Sequence, residues 1–533
     1  MTFGLTFQKI LALSFLLCSA FLAIEICSPL SQAQLRGSCP ALPGDSSGWT
    51  GLEHWAWKQI CTGRAADLRQ YRETADPAEA GHSLTQGDLS QRFLETILLR
   101  EPWRSSIPRQ GVVIEGARFQ ENVDLRNAKI DHDLKLIGSR FESTALMRNL
   151  EIAGELSLQA SYFGARSGDG VDLAGAKIHG ALSFDDVRSS TNVNMDSLRA
   201  GALTLRRGVF RDISLENSRI EGGVDLSDST SSGTIEFHNM DVGQDLTILN
   251  STLTRMLMQY AKVGGVLDIE GPKSRPEPRP KNFPAQSVDL TGASVGTLRF
   301  GSEWYGPINS PQNWGNGSRL SLTNATVQAL QDGPCGVANS RCRSNSWPDH
   351  LELTGFTYRR LGSSDPGKED DMAARPAEWW AGWLKKQTPF TPQPYEYLAA
   401  TLSRLGHKDT AITILYAGKE REREAATFPE SVELWLERVF IGYGYRIYYS
   451  LFWVVGFVLL GAVMLRLSGV GTANKMPYGV AFSFDMLLPV VRLRDYHYSI
   501  DLTGWVRYYF YFHKLMGYVL ASFLIASLAG LTK

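Results

Sequence analysis

Apolar triplets recur from Val112 to Ile269 in this 533-residue chain, and their spacing rules out most folds. Strong members include Val123/Leu125, Leu134/Leu136, Leu156/Leu158, Val171/Leu173, Leu182/Phe184, Leu203/Leu205, Ile213/Leu215, Val224/Leu226, Ile235/Phe237, Leu246/Ile248 and Leu267/Ile269. With the weaker members Ala145/Met147, Val193/Met195 and Met256/Met258 in the gaps, they follow one another every ten or eleven residues, with one step of fifteen. Another large residue comes five positions after the first of many pairs' second members (Ile130, Phe141, Phe163, Ile178, Phe210, Ile220), often with Ala or Ser two places before it. This is not the 3.6-residue period of a helix. It suits a chain that turns a corner after each short segment, four segments closing a coil of roughly 20–22 residues, with coils stacked about 4.8 Å apart. The spacing predicts stacked square coils with inward aliphatic ladders and polar residues facing water.

These residues resemble the pentapeptide-repeat family, whose fold is a right-handed quadrilateral β-helix. The likeness runs over residues 112–270 and extends raggedly to about residue 358, with an extra residue often intruding between units. The expected organisation is a leader over 1–33, a helical N-terminal cap over 35–105 and a β-helix over 106–360 with loop insertions. A helical hairpin follows over 375–440, then a membrane domain over 441–533. The fold class expected is mainly a β solenoid with an α-helical cap, a helical hairpin and C-terminal transmembrane helices.

Lys9 followed by the apolar run Ile10 to Ala23 and the small-x-small Ser31/Ala33 reads as a secretory signal, with an uncleaved anchor as the alternative. Outside the leader, Cys39, Cys61, Cys335 and Cys342 fit two disulfides in an oxidising compartment, paired by proximity as Cys39–Cys61 and Cys335–Cys342. A zinc site suits their spacing poorly.

Ile447 to Leu465 carries no charge and is long enough to cross most of a bilayer core, and Leu515 to Leu531 is a shorter second candidate. Val480 to Val491 is too short to cross and is expected to lie in the interface or re-enter. With the repeat exported, the reading is an inner or internal bacterial membrane protein whose β-helix faces the periplasm or lumen. Gly442, Gly444 and Arg446 would form the turn entering the membrane. The C-terminal third adds a likeness to membrane-anchored pentapeptide-repeat proteins, in Gly442 to Arg446 and in Phe482 to Pro489.

Chemistry is sparse. The nine His are scattered without metal-ligand spacing, and no phosphate-cradling, dinucleotide or nucleophile-elbow motif occurs. Asp185 and Asp186 are the one adjacent carboxylate pair in the repeat, and a corner position is the plainer account of them. A net charge of −1 gives no field for nucleic acid. The expectation is a non-enzymatic, membrane-tethered scaffold without cofactor or metal, offering its β-helix to an unknown protein partner. A channel-like or transport-associated component is the alternative.

Overall fold

A computed structural model describes residues 39, 48–71, 76–78, 88–164, 169–269, 286–300, 314, 317–332, 347–362, 372–446, 448–476, 479–488 and 491–528. The chain forms two compact units, one of Met1–Thr247 with Ser251–Leu253, the other holding the rest.

In the first unit the repeats make two parallel sheets. One ladder aligns Val112 with Leu134, Leu134 with Leu156, Leu156 with Leu182 and Leu182 with Leu203. The other aligns Phe119 with Phe141 and Phe141 with Phe163. Each coil supplies two short segments to each sheet, as in Leu134–Ile137, Arg140–Phe141, Ala145–Leu146 and Glu151–Ile152. The expected square of four separate faces is therefore corrected: strands such as Lys177–Ser183 bend across a corner and merge neighbouring faces. Inside, Phe119, Phe141 and Phe163 stack with centroids 5.1 and 4.7 Å apart.

The corners depend on a conformation that the apolar pattern does not announce. Asn127, Asn149, Gly175, Ser197, Asn217 and Asn239 all have positive φ. Each occupies the third position of a turn closed by the next residue's amide, such as Ala128 N–H to Leu125 O at 3.2 Å and Ala176 N–H to Leu173 O at 2.9 Å. That is the type II turn, which requires φ > 0 at this position and favours Gly or Asn. The Asn149 side chain also donates to Asn127 Oδ1 at 3.1 Å across a 22-residue interval, so the corner residues form a ladder of their own.

A second corner is built on contact rather than φ. A Cβ added to Gly201 would lie 2.8 Å from the carbonyl oxygens of His179 and Gly180, and one on Gly222 would lie 2.7 Å from Gly201 O. Here successive coils approach backbone to backbone. Buried serines handle the remaining polar groups: Ser229 Oγ donates to Leu205 O at 2.5 Å and accepts the Gly208 amide at 3.2 Å.

The first coil is closed by helices α1 (Gly51–Cys61) and α2 (Gln91–Leu99). Glu53, almost fully buried, accepts the Thr50 amide at the start of α1 and both the amide and the hydroxyl of Ser90, the α2 N-cap. Gln91 then meets the sheet as a peptide group would: its Nε2 donates to Asp124 O and its Oε1 accepts Asp124 N–H, both at 2.8 Å.

In the second unit, coils lengthen to 31 or 32 residues. Their ladders align Val263, Val295, Val327 and Tyr358 in turn, and Met256, Val288, Leu320 and Leu351. Helices α3 (Ala377–Lys385), α4 (Gln393–Arg404) and α5 (Lys408–Ala425) follow, α4 and α5 separated by Gly406 at φ +97°. Tyr397 Oη accepts the Tyr358 amide and donates to its carbonyl, while Gln393 Oε1 accepts Gly355 N–H. Asp332, fully buried, takes Arg375 Nη1 and Trp347 Nε1 on one oxygen, both at 2.9 Å.

Helices α6 (Phe428–Ile441), α7 (Tyr448–Leu467), α8 (Val480–Leu487) and α9 (Trp505–Leu528) complete the unit. Two membrane spans near 447–465 and 515–531 were expected. Among the described residues one helix, α7, is long and apolar enough to cross a membrane. The second candidate belongs to α9, which carries Arg507, His513 and Lys514 and packs on α8 through Phe510. The segment expected to lie in the interface is α8, with Phe482, Ser483, Asp485 and Leu487 buried between its neighbours. These helices form a packed bundle around polar groups. The several transmembrane helices of the expected fold class, and with them the bilayer as partner, are therefore corrected to a packed helical bundle holding one candidate span, α7, among the described residues. The expected inner-membrane topology, a periplasmic β-helix held by two C-terminal spans, is corrected with it, since one candidate span and a packed helical core stand in their place. The leader over 1–33 lies outside the described residues.

Gly201→Ala is expected to lower the stability of the first unit by about 1–3 kcal/mol through overpacking. Ser229→Ala should cost about 1–3 kcal/mol by orphaning the Gly208 amide and Leu205 carbonyl. Val209→Thr, at a half-exposed site, should be near neutral. Denaturant midpoints compare the three.

Candidate functional site: the polar core of the C-terminal helices

The residues singled out by sequence separate into three places. Cys39 and Cys61 form a disulfide that ties the preceding chain to the end of α1, with Cα atoms 5.6 Å apart. Cys335 and Cys342 lie outside the described residues. Gly442, Gly444 and Arg446 form the joint between α6 and α7.

That joint packs onto α5. Gly442 ends α6 at φ +55°, donating its amide to Glu437 O and Arg438 O, and Tyr443 and Gly444 also have positive φ. The reversal buries Tyr443 completely, with its hydroxyl on Glu420 Oε1 at 3.0 Å. Burial pushes the Tyr443 hydroxyl up from its usual value, and the Glu420 carboxylate adds to the effect. Arg438 and Arg423 bind the same carboxylate at 3.0 and 3.1 Å. The Arg446 guanidinium lies over the Tyr416 ring at 4.4 Å and donates to Tyr449 Oη at 3.0 Å. Gly442, Gly444 and Arg446, expected at a membrane-entry turn, lie in a cross-linked joint that leads into α7.

The densest polar chemistry was missed by sequence reasoning. Asp485, fully buried on α8, accepts the Leu493 and Arg494 amides at 2.9 and 3.2 Å and meets His497 Nδ1 at 2.9 Å. Its own carbonyl accepts the Tyr498 hydroxyl at 3.1 Å. One carboxylate thus fastens the loop 491–498 to α8. Burial opposes its ionisation, but the Leu493 amide, the His497 ring and the Arg494 amide outweigh that and hold the carboxyl below the usual range.

On the other side of Phe482 and Phe510 lies His513 of α9, also fully buried. Its Nε2 is 3.0 Å from Ser483 O and must donate to it, so Nδ1 is left to accept the Tyr509 hydroxyl at 3.2 Å. Gly461 of α7 closes the third side: a Cβ there would stand 2.1 Å from Ser483 Oγ and 3.2 Å from the His513 ring. Burial lowers the His513 value, and the Ser483 carbonyl restores part of it.

Chemically, the arrangement can hold a charge at Asp485 and a neutral ring at His513. Ser483 Oγ lies 3.5 Å from His513 Nε2, whose proton is directed at a carbonyl, so no serine activation follows. Among the described residues no group of three or more His, Cys, Asp or Glu is placed to hold a metal. Apolar context hid the site: Asp485 reads as an interruption in Val480 to Leu487. The usable signal was an acid inside an apolar helix, with His497 at the end of a short polar loop.

Asp485 titrates lower in the folded state than unfolded, so its contribution is present above its ordinary value of 3.8 and is lost as pH falls below it. Asp485→Asn should cost about 1.5–3 kcal/mol, the range for hydrogen bonds to a charged group, and flatten that acid limb in melting curves between pH 3 and 5 (roughly the carboxylate window). Comparison with family models, curated proteins and solved structures finds no match in any of the three, and with the helices packed as described the expected kinship with membrane-anchored pentapeptide-repeat proteins is set aside.

Proposed function

We propose that this protein works without catalysis, its stacked coils serving as a stiff spacer element. The observation that carries the reading is the fate of the one carboxylate pair in the repeat. Asp185 is bound by Arg206 at 2.6 Å and Asp186 by Arg207 at 2.8 Å, each arginine coming from the next coil. Arg207 holds Asp186 below the usual carboxylate range. A general acid needs the opposite shift, toward the working pH. Arg148 on Asp172 repeats the arrangement at 2.8 Å. These charged groups tie coil to coil at two different corners.

Stiffness follows from the same contacts. Six coil-to-coil steps between Val112 and Leu246, at about 4.8 Å each, give roughly 29 Å of continuous parallel ladder in the first unit. Its interior is close-packed Leu, Ile, Val and Phe, and such interiors have low compressibility.

Removal of Leu203 to Gly223 deletes one coil and sets Val224 over Leu182, preserving the register. In cells that depend on the protein, this deletion should alter function while the variant still folds. Asp185→Asn with Asp186→Asn should leave function intact. Loss of function in that double variant, with its circular dichroism and melting temperature close to wild type, would contradict the spacer reading.

A further inference from the structure

Protonation of a buried neutral histidine has consequences only if the ring holds something together, and His513 does. It sits where α7, α8 and α9 meet, and its ring bonds α9 to the α8 backbone through Ser483 O. In the Nε2–H form that this bond requires, Nδ1 is an acceptor and Tyr509 fills it. A second proton on Nδ1 would face the Tyr509 hydroxyl, which would have to turn, and would put a full positive charge among Phe457, Phe510 and Gly461.

Among the described residues shown against the ring there is no carboxylate, and Ser483 O offsets only part of the cost of burying that charge. From α7 it meets Phe457 and Gly461; from α8, Ser483. On its own helix it meets Tyr509 and Phe510, while the adjacent Lys514 lies over the Tyr498 ring. The acidic residue of α8, Asp485, is already engaged by His497 and two backbone amides. Closure of the junction is steep as well. Gly461 and Gly517 allow contacts in which an added Cβ would come within 2.1 Å of Ser483 Oγ and 1.9 Å of Leu487 O, so small displacements separate the helices.

We propose that the junction around His513 is an acid-opened latch: at neutral pH the neutral ring, bonded to Ser483 O and Tyr509, holds α9 to α8, and acid, which leaves the Ser483 bond in place but breaks the Tyr509 bond and buries a cation with no carboxylate against it, releases α9 and uncovers Phe482 and Phe510. This goes beyond the spacer reading and is independent of it. The sign follows from linkage. A histidine whose folded value lies below its unfolded one leaves the closed state binding fewer protons than the open state. Closure is therefore complete above the ordinary histidine value of 6.5 and weakens as pH falls below it. One pH unit below that value, the open population should rise by at most about tenfold.

Hydrogen exchange of the full-length protein tests this, read on peptides covering residues 480–488 and 505–516 at pH 7.5 and 5.5 and corrected for intrinsic exchange. The wild type should open more at the lower pH, by up to about tenfold (one unit of linkage). His513→Gln, whose amide can still donate to Ser483 O, should remove the response, and His497→Gln should keep it. A flat wild type, a response that survives His513→Gln, or one that disappears with His497→Gln instead overturns the proposal. Should His513→Gln fail to fold, Tyr509→Phe decides. Losing the hydroxyl that serves the neutral ring must move the opening midpoint to higher pH, and an unmoved midpoint refutes the latch.

Discussion

Each coil exists because a few residues accept positive φ so that the chain can reverse. The turn Leu125 to Ala128 closes only if Asn127 is left-handed, and its amide then reaches Arg148 O in the next coil at 2.9 Å. The same move is repeated at Asn149, Gly175, Ser197, Asn217 and Asn239. A left-handed L-residue costs roughly 1–2 kcal/mol, and Asn or Gly reduces that cost. The bond to the neighbouring coil and the burial of the following large residue offset the remainder. Stacking and corner formation are therefore one event: neither the turn nor the ladder is satisfied without the coil beside it.

Much of this was legible. The apolar triplets mark the ladder residues Val112, Leu134, Leu156, Leu182 and Leu203, and the small residues two places before Ile130 and Ile178 sit at tight corners. What the triplets do not reveal is which residue carries the strain. Asn or Gly immediately before that small residue, as in Asn127/Ala128 and Gly175/Ala176, is the mark, and it becomes visible once the turn type is known. The glycines at 180, 201 and 222 were equally quiet, because their role is defined by a carbonyl one coil away rather than by a sequence neighbour. Merging of faces into two sheets depends on strands such as Lys177–Ser183 bending through a register shift, which no linear period encodes.

The C-terminal helices were harder to read for a different reason. Hydropathy counts how many apolar residues a segment holds, not what its few polar residues bind. In α8 a single carboxylate sets the structure of the following loop, and in α9 a histidine meets a carbonyl on another helix. Such groups are tolerated inside an apolar bundle because every bond they need is made. The same sequence of apolar residues is compatible with isolated spans and with a packed bundle; Gly461 and Gly517, where helices touch, separate the two. The Gly442 to Arg446 turn followed the same pattern: its glycines were noticed, but the Glu420 carboxylate that fixes its place is remote in sequence.

Gln91 and the pair Gln393 and Tyr397 have a bearing on how molecules of this kind meet one another. A parallel ladder ends in unspent main-chain valences, the template on which cross-β growth proceeds. In the first unit a primary amide occupies such valences at Asp124, and in the second an amide and a phenol occupy those of Gly355 and Tyr358, with groups that cannot be propagated by a further strand. At these positions an added copy would find side chains where a growing fibril needs backbone.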